Sequence, residues 1–325
     1  LGGEIRYRTE FKSLNTSNGI ITGVTLTSGE ELKSKAIILA CGGFESNATL
    51  RSKFLGLEWA SAKVRGTPNN TGDGLIAAWD LGAQRYGRFS GCHATPMDYF
   101  MKDYGNLSIP HGERKNYRKI CYFLGVMLNE NGLRFLDEGV DFRNYTYAQF
   151  GQAILKEPGK RAWQIFDSKV FDLLYSEYEF SDAHYEEADS LAELFQKCDG
   201  LDSLTAMKTL QEFNRNVAKV INFDPTVLDG LSSHSSGVNK SNWAQKIDTG
   251  PFRAYPVTGG ITFTYGGLKV SQKAEVLDTQ DKPIKGLFAC GEIVGGVFYG
   301  GYPGGSGLTS GAVFGRLAGS SATNF

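Results

Sequence analysis

The sequence predicts an α/β protein, and three patterns carry that prediction. Two short, continuous apolar runs, Ala36-Ile37-Ile38-Leu39-Ala40 and Leu287-Phe288-Ala289-Cys290, have the length and composition of strands buried on both faces. Each runs directly into glycine, Gly42-Gly43 after the first and Gly291 after the second, and then into a segment of helical spacing. Between them lies a long stretch richer in aromatic and charged residues, where amphipathic helical patterns recur. A strand, a glycine turn and a helix together let backbone N–H groups and a helix N-terminus approach a flat or phosphorylated ligand.

Taken in order, the chain opens on a β pattern. Ile5, Tyr7 and Thr9 alternate with charged residues, Asn18-Gly19 marks a hairpin turn, and Gly23-Val24-Thr25-Leu26-Thr27 alternates again. The buried strand 36–40 follows and ends on Cys41-Gly42-Gly43-Phe44. Helices are expected over Asn47 to Leu55 and Leu75 to Leu81, the second preceded by Asn69-Asn70-Thr71-Gly72-Asp73-Gly74. Thr71 and Asp73 have the residue types for an N-cap and a first-turn carboxylate. Residues 88–249 carry the aromatic and charged stretch, with Tyr99, Tyr104, Tyr117, Tyr122, Tyr145 and Tyr147 among them. Amphipathic helices are expected at Phe142 to Leu155, Ser190 to Cys198 and Leu204 to Val220, the last capped by Ser203. A polar loop at Ser232 to Asn239 leads to strands at Ile261–Thr264 and Leu268–Val270. The strand at 287–290 then precedes a glycine-rich crossing, with glycines at 295, 296, 300, 301, 304, 305, 307 and 311, and a helix that begins near Ser306 to Thr309.

Composition narrows the function classes. At 325 residues and 41% hydrophobic the chain can bury a large core, and its length corresponds to about two domains. Forty-one glycines are about twice the average share and sit in ordered clusters between apolar runs, unlike low-complexity sequence. A net charge of −1 leaves no electrostatic footprint for nucleic acid or an anionic membrane. Five cysteines (Cys41, Cys92, Cys121, Cys198, Cys290) lack CxxC spacing and fit a reducing, cytoplasmic setting. No run approaches the roughly 20 apolar residues of a membrane span, and no zinc or iron–sulfur ligand spacing occurs, so no metal is expected.

The order Gly-Glu-Ile-x-Gly-Gly followed by Tyr-Pro-Gly-Gly-Ser-Gly-Leu resembles the C-terminal FAD segment of the fumarate reductase/succinate dehydrogenase flavoprotein family. Within it the chain looks most similar to tricarballylate dehydrogenase-type members, which carry Tyr-Pro-Gly-Gly there. The resemblance implies the C-terminal part of a Rossmann-like FAD-binding domain interrupted by an α+β capping domain. Residues 1–87 and 256–325 would belong to the FAD domain and 88–255 to the capping, substrate-binding domain. No G-x-G-x-x-G occurs, so the chain is expected to be the latter two-thirds or so of a longer protein lacking the N-terminal βαβ unit.

The same resemblance assigns residues. Gly42, Gly43, Asp73, Phe263, Glu292, Ser306, Gly307 and Leu308 would contact FAD: Glu292 through the ribityl hydroxyls, the last three at the helix end facing the ring. Arg143, in the segment Gly132-Leu133-Arg134-Phe135-Leu136-Asp137-Glu138 through Arg143, matches the family's proton-handling arginine. Because arginine is a poor base, Asp141 or Glu138 would relay the proton. His93 in Gly91-Cys92-His93-Ala94-Thr95-Pro96 matches a histidine that bonds a substrate carboxylate. Tyr302 stands where fumarate reductases have an arginine, and Thr262-Phe263-Thr264 replaces their His-His-Thr. Arg118, within the basic group Arg114, Lys115, Arg118 and Lys119, stands where they show a glutamate. The implied activity is FAD-dependent oxidation or reduction of a CH–CH bond beside carboxylates, with tricarballylate to cis-aconitate the leading case. His93, Arg118, Thr264 and Tyr302 would orient a di- or tricarboxylate substrate, and the electron acceptor stays open. Two alternatives remain at this point: a 3-ketosteroid dehydrogenase-like enzyme, which a Tyr-Pro-Gly also resembles, and a flavin-free fragment without catalysis.

Overall fold

The computed structural model describes residues 2–101, 109–217, 223–234 and 237–325. In chain order its elements are β1 (Phe11–Ser17), β2 (Ile20–Leu26), β3 (Glu31–Lys33), β4 (Ile37–Leu39), α1 (Ala48–Phe54), β5 (Lys63–Val64), α2 (Asp73–Asp80), β6 (Arg85–Tyr86), β7 (Cys92–Asp98) and β8 (Val126–Asn129). There follow α3 (Arg143–Leu155), β9 (Ala162–Asp167), β10 (Glu186–Ala188), α4 (Leu191–Lys197), α5 (Ser203–Asn216), β11 (Phe252–Thr264), β12 (Gly267–Leu268), β13 (Glu275–Leu277), β14 (Pro283–Ala289) and α6 (Ser306–Thr323). The chain divides into two compact units. One comprises residues 1–57, 68–92 and 263–325, the other 58–67 and 93–262.

The first unit is built on a six-stranded sheet of order β1-β2-β14-β13, with β3 beside β2 and β4 beside β14. The β1–β2 hairpin turns at Asn18 (φ 51°) and Gly19 (φ 73°), the two left-handed residues that a tight hairpin requires. Strand β14 pairs in parallel with β4 through Leu287↔Ile37, Phe288↔Ile38 and Ala289↔Leu39. That register fixes the site: the strands end side by side, so Gly42-Gly43 and Gly291-Glu292 leave the sheet at one edge. Helix α6 packs Ala318, Phe314 and Leu317 against Phe288 and Ala274.

Three expectations are corrected here. Residues 4–9 form no strand, and Ile5 and Tyr7 are 74% and 82% exposed; no strand among the described residues pairs with them to give their alternation a buried face. The run 36–40 is not buried on both sides, because Ile38 is 39% exposed while Leu39 is 6% exposed, as alternation over one covered face dictates. Thr71 does not cap α2: Gly72 (φ 85°) holds the cap position without a side-chain bond, and Thr71 Oγ1 donates to Asp73 Oδ2 at 2.6 Å.

In the second unit β11 anchors a sheet of order β10-β11-β9-β8, with β5 and β7 also on β11. Val126, Leu128, Trp163 and Ile165 from its strands meet Leu194 and Phe195 of α4 and Ala206, Leu210 and Phe213 of α5. The α5 residues recur at helical spacing along one face, which is why that helix was legible. Its cap is Asp202, whose Oδ1 accepts from Thr205 N at 3.0 Å. Ser203, the expected cap, instead donates its hydroxyl to Phe195 O at 2.8 Å. The helix ends at Asn216, where Val217 turns extended; the expected continuation through residue 220 lies outside the described residues, as do Tyr104 and part of the 232–239 loop. Helix α3 approaches β7 closely at Gly151, where an added Cβ would stand 2.7 Å from the Ala94 and Thr95 carbonyl oxygens.

Candidate functional site

In the first unit the two glycine-terminated strand ends converge on a pair of carboxyl groups. Glu292 sits in the short 3-10 turn Gly291–Ile293 that follows β14. Its Oε1 accepts from Thr264 N at 2.7 Å and from Thr264 Oγ1 at 3.1 Å. Gly43 lies against both groups, because a Cβ built there would overlap Thr264 Oγ1 and the Glu292 carboxyl. Four predicted residues, Gly42, Gly43, Thr264 and Glu292, are thus brought to one place.

A fifth residue there was missed. Glu45 is 1% exposed, and its Oε1 accepts from Asn70 Nδ2. Its Oε2 has no donor among the described residues. The carboxyls of Glu45 and Glu292 interact directly. Burial pushes Glu292 well above the ordinary glutamate range, and the charge of Glu45 pushes it further. Burial likewise raises Glu45. One proton shared by two enclosed acids satisfies both better than two charges would. No motif marks Glu45 in the sequence; only the β4–β14 register makes it a partner of Glu292. Asp73, in the first turn of α2, neighbours Cys41 and raises its thiol pKa after burial has done so.

The glycine-rich crossing ends at α6, whose cap, Gly305 (φ 84°), makes no side-chain bond. Ser306 N donates to Pro303 O at 3.1 Å, and Gly307 N donates to the Tyr302 hydroxyl at 3.1 Å. Leu308 is 84% exposed. Tyr302 belongs to an aromatic group with Phe263 (ring centroids 5.3 Å apart) and Phe298 (4.8 Å). Its hydroxyl therefore seals the start of α6, and Phe263 packs beneath it.

The second unit holds the remaining candidates. His93 is buried with its ring edge-on to Tyr147 at 4.9 Å. Burial, with the Arg65 guanidinium adding to it, lowers its pKa to about 3, so the imidazole is neutral at physiological pH. Arg65, also missed in the sequence, donates from Nε to Thr262 Oγ1 at 2.8 Å. Arg118 is committed to Glu177 at 2.8 Å, and Lys115 to Asp182 at 2.7 Å. Lys119 is fully buried between the Tyr178 and Tyr255 rings, and burial lowers its amine to about 8. Of the basic group, Arg118 and Lys115 are thus held in ion pairs, the second at the surface, and the Lys119 amine donates to the Glu177 carbonyl. Glu138 cannot relay a proton for Arg143, because it is buried in a bidentate pair with Arg134 and accepts from Met127 N at 2.8 Å. Asp141 Oδ1 accepts from Phe142 N at 2.6 Å. Arg143 itself opens α3, stacks over Tyr175 at 5.1 Å and lines a cavity. No carboxylate pairs with it among the described residues.

The FAD binding domain family matches residues 1–308. The chain belongs to that family. It is 29% identical over 295 residues to a probable fumarate reductase of Shewanella frigidimarina, which covers 89% of this chain and 44% of that protein. Among solved structures it resembles the open conformation of a flavocytochrome c3 fumarate reductase, with TM-score 0.72 and 25% identity over 97% of this chain and 52% of that one. It resembles equally the 3-ketosteroid Δ1-dehydrogenase of Sterolibacterium denitrificans, with TM-score 0.72 and 25% identity over 97% and 59% of the two chains. The chain thus spans about half the length of the relatives it matches.

FAD is the cofactor of this family, and the residues present fit it. Side chains added at Gly291, Gly304 or Gly305 would meet nothing within 4 Å, so the backbone after β14 and at the start of α6 is bare and open to a flat ligand beside Glu292. No helix among the described residues is long and apolar enough to cross a membrane.

Proposed function

We propose that this chain supplies the flavin-facing and substrate-facing parts of an FAD-dependent oxidoreductase that adds or removes hydrogen across a carbon–carbon bond beside a carboxylate. The observation that carries the reading is the Gly43–Thr264–Glu292 constellation at the shared edge of two parallel strands. Bound FAD would supply hydride acceptance or donation. Around it, Glu292 and Glu45 accept hydroxyl hydrogen bonds, Thr264 holds Glu292 in place, and the Tyr302 hydroxyl fixes the start of α6. In this reading residues 88–255 form the capping, substrate-binding portion interrupting a Rossmann-like FAD domain.

Arg143 receives the substrate carboxylate. With Glu138 bound to Arg134, the relay that an acid–base arginine needs has lost one of its two candidates, whereas anchoring an anion needs only the fixed charge. His93, held neutral, offers a hydrogen bond and no charge. Tricarballylate dehydrogenation, the narrower version, calls for three carboxylate ligands; Arg118 and Lys115 are already spent on Glu177 and Asp182. A substrate with fewer carboxylates is better supported. The ketosteroid reading needs a tyrosine hydroxyl that donates to the ketone, and Tyr302, which accepts from Gly307 N, keeps its proton for that; what favours a carboxylate over a ketone is the charge of Arg143.

The test is direct. The purified protein, supplied with FAD, should bind it with the yellow absorbance of a flavoprotein and oxidise a reduced dye in the presence of a 2-enoate. Arg143→Ala should lower kcat/KM by about tenfold or more, chiefly through KM. Failure to bind flavin, or turnover indifferent to Arg143, overturns the reading.

A further inference from the structure

The Arg143 cavity has a composition that selects its occupant. It is open to solvent on one side, holds about 260 Å³ and is walled by Phe123, Phe142, Tyr175 and Trp243, with Arg143, Asn144 and the exposed Tyr145 as polar groups. Sites for drug-sized ligands run from roughly 300 to 1,000 Å³. The space therefore suits one ring with a short acidic arm, not a fused polycycle.

The walls are fixed before any ligand arrives. Trp243 is 1% exposed, its Nε1 donates to Val227 O at 2.8 Å, and its ring lies 5.4 Å from Phe123 and 5.9 Å from Phe142. Phe123 is held in turn, because the buried Lys240 amine donates to its carbonyl at 2.8 Å and to Gly125 O at 2.6 Å. Tyr175 carries the Arg143 guanidinium on its face at 5.1 Å. A guanidinium backed by a ring and lacking a carboxylate partner among the described residues is a charge with its counter-ion still to come. Rigid aromatic walls lower the ordering cost of a flat guest.

We propose that this cavity binds a planar aromatic monocarboxylate, an aryl-substituted enoic acid being the fitting class. Its carboxylate pairs with Arg143 and Asn144, and its ring lies among Phe123, Phe142, Tyr175 and Trp243. The inference deepens the proposed function and rests on it only for the step from ligand to substrate. Binding itself needs no flavin.

Calorimetric titration of the whole protein with four probes decides the matter. The probes are trans-cinnamate, cinnamyl alcohol, trans-3-cyclohexylpropenoate and tricarballylate. Cinnamate should bind tightest. The alcohol, which lacks the charge, and tricarballylate, which brings two unpaired charges, should bind about tenfold or more weakly. The cyclohexyl acid should be a few-fold weaker. Arg143→Gln should erase the difference between acid and alcohol, and Tyr175→Leu the difference between aromatic and cyclohexyl acids while keeping the preference for acid. Absent cinnamate binding, equal binding of tricarballylate, or variants that keep the wild-type order would each overturn the proposal. Should either variant fail to fold, the ranking of the four probes on the wild type still decides. Bound cinnamate with bound flavin but no turnover would sink the proposed function and leave the pocket standing; turnover of aliphatic enoates without cinnamate binding would do the reverse.

Discussion

Two carboxyl groups enclosed together set the chemistry of the first unit at the scale of single residues. Glu45 and Glu292 are both raised, by burial first and in Glu292 also by the charge opposite. The direction of the stability effect follows by linkage. Between the ordinary glutamate value of about 4.3 and the raised value, the folded chain holds a proton that the unfolded chain has lost. The contribution is full below the ordinary value and declines as pH rises through the raised one. Each unit of elevation corresponds to about 1.4 kcal/mol. Glu45→Gln can accept from Asn70 and donate to Glu292 at every pH, replacing the shared proton. Its urea midpoint should match wild type at pH 5 and exceed it at pH 8, by the equivalent of about 1 kcal/mol or more; parallel curves for the two proteins would refute the shared proton. Glu292 was legible in the sequence because the Gly-Glu order carries it. Glu45 was not, since a glutamate after Gly-Gly-Phe is unremarkable until two strands are set in register. Arg118 and Lys115 show a related limit, since a run of cations does not reveal the distant Glu177 and Asp182 that pair with them.

At the scale of elements, glycine does opposite things in two helices. Gly151 of α3 lies on the β7 backbone, and the atoms a Cβ would strike are carbonyls at 2.7 Å that have no rotamer to change. Gly151→Ala should destabilise the protein by about 1–3 kcal/mol and displace α3, which carries Arg143 at its first turn. Gly319 sits inside α6, and a Cβ added there would meet nothing within 4 Å. There the alanine removes backbone freedom from the unfolded chain, so Gly319→Ala should stabilise by about 0.5–1 kcal/mol. Thermal melts of both variants check the pair, and a neutral Gly151→Ala would mean that the helix is not seated as described. Helices were the legible elements, α5 most plainly, because Ala206, Leu210 and Phe213 recur at helical spacing as its buried stripe. The opening residues 4–9 alternate as convincingly as β1 does, but alternation specifies a strand only where a neighbour accepts it, and pairing partners are not written locally. The cap of α5 shows the same limit on a smaller scale: Asp202 and Ser203 are both good caps, and the tie from Ser203 to Phe195 decides between them.

For the molecule as a whole, each unit is assembled from separated stretches of chain, three in the first and two in the second. The carboxyl pair needs residues near 45, 70, 264 and 292, so this site cannot form until the last segment is in place, and its contacts are of the slow, non-local kind. The aromatic cavity is drawn wholly from residues 123–243 of the other unit. Two ligands held by different residues should therefore leave different footprints in amide hydrogen exchange. FAD at a hundred times its Kd stabilises its site by about 2.7 kcal/mol, which slows exchange roughly a hundredfold wherever opening requires ligand release. That slowing is expected over residues 42–45, 263–265, 291–293 and 302–309. Cinnamate should instead slow residues 123–125, 142–147 and 175 and the segment around Trp243. A cinnamate footprint at 42–45 or 291–293 would move the aromatic acid out of the Arg143 cavity. An FAD footprint absent from those same strand ends would show that the glycines and paired acids of β4 and β14 are packing for the protein's own interior, and the flavin would have to be sought elsewhere.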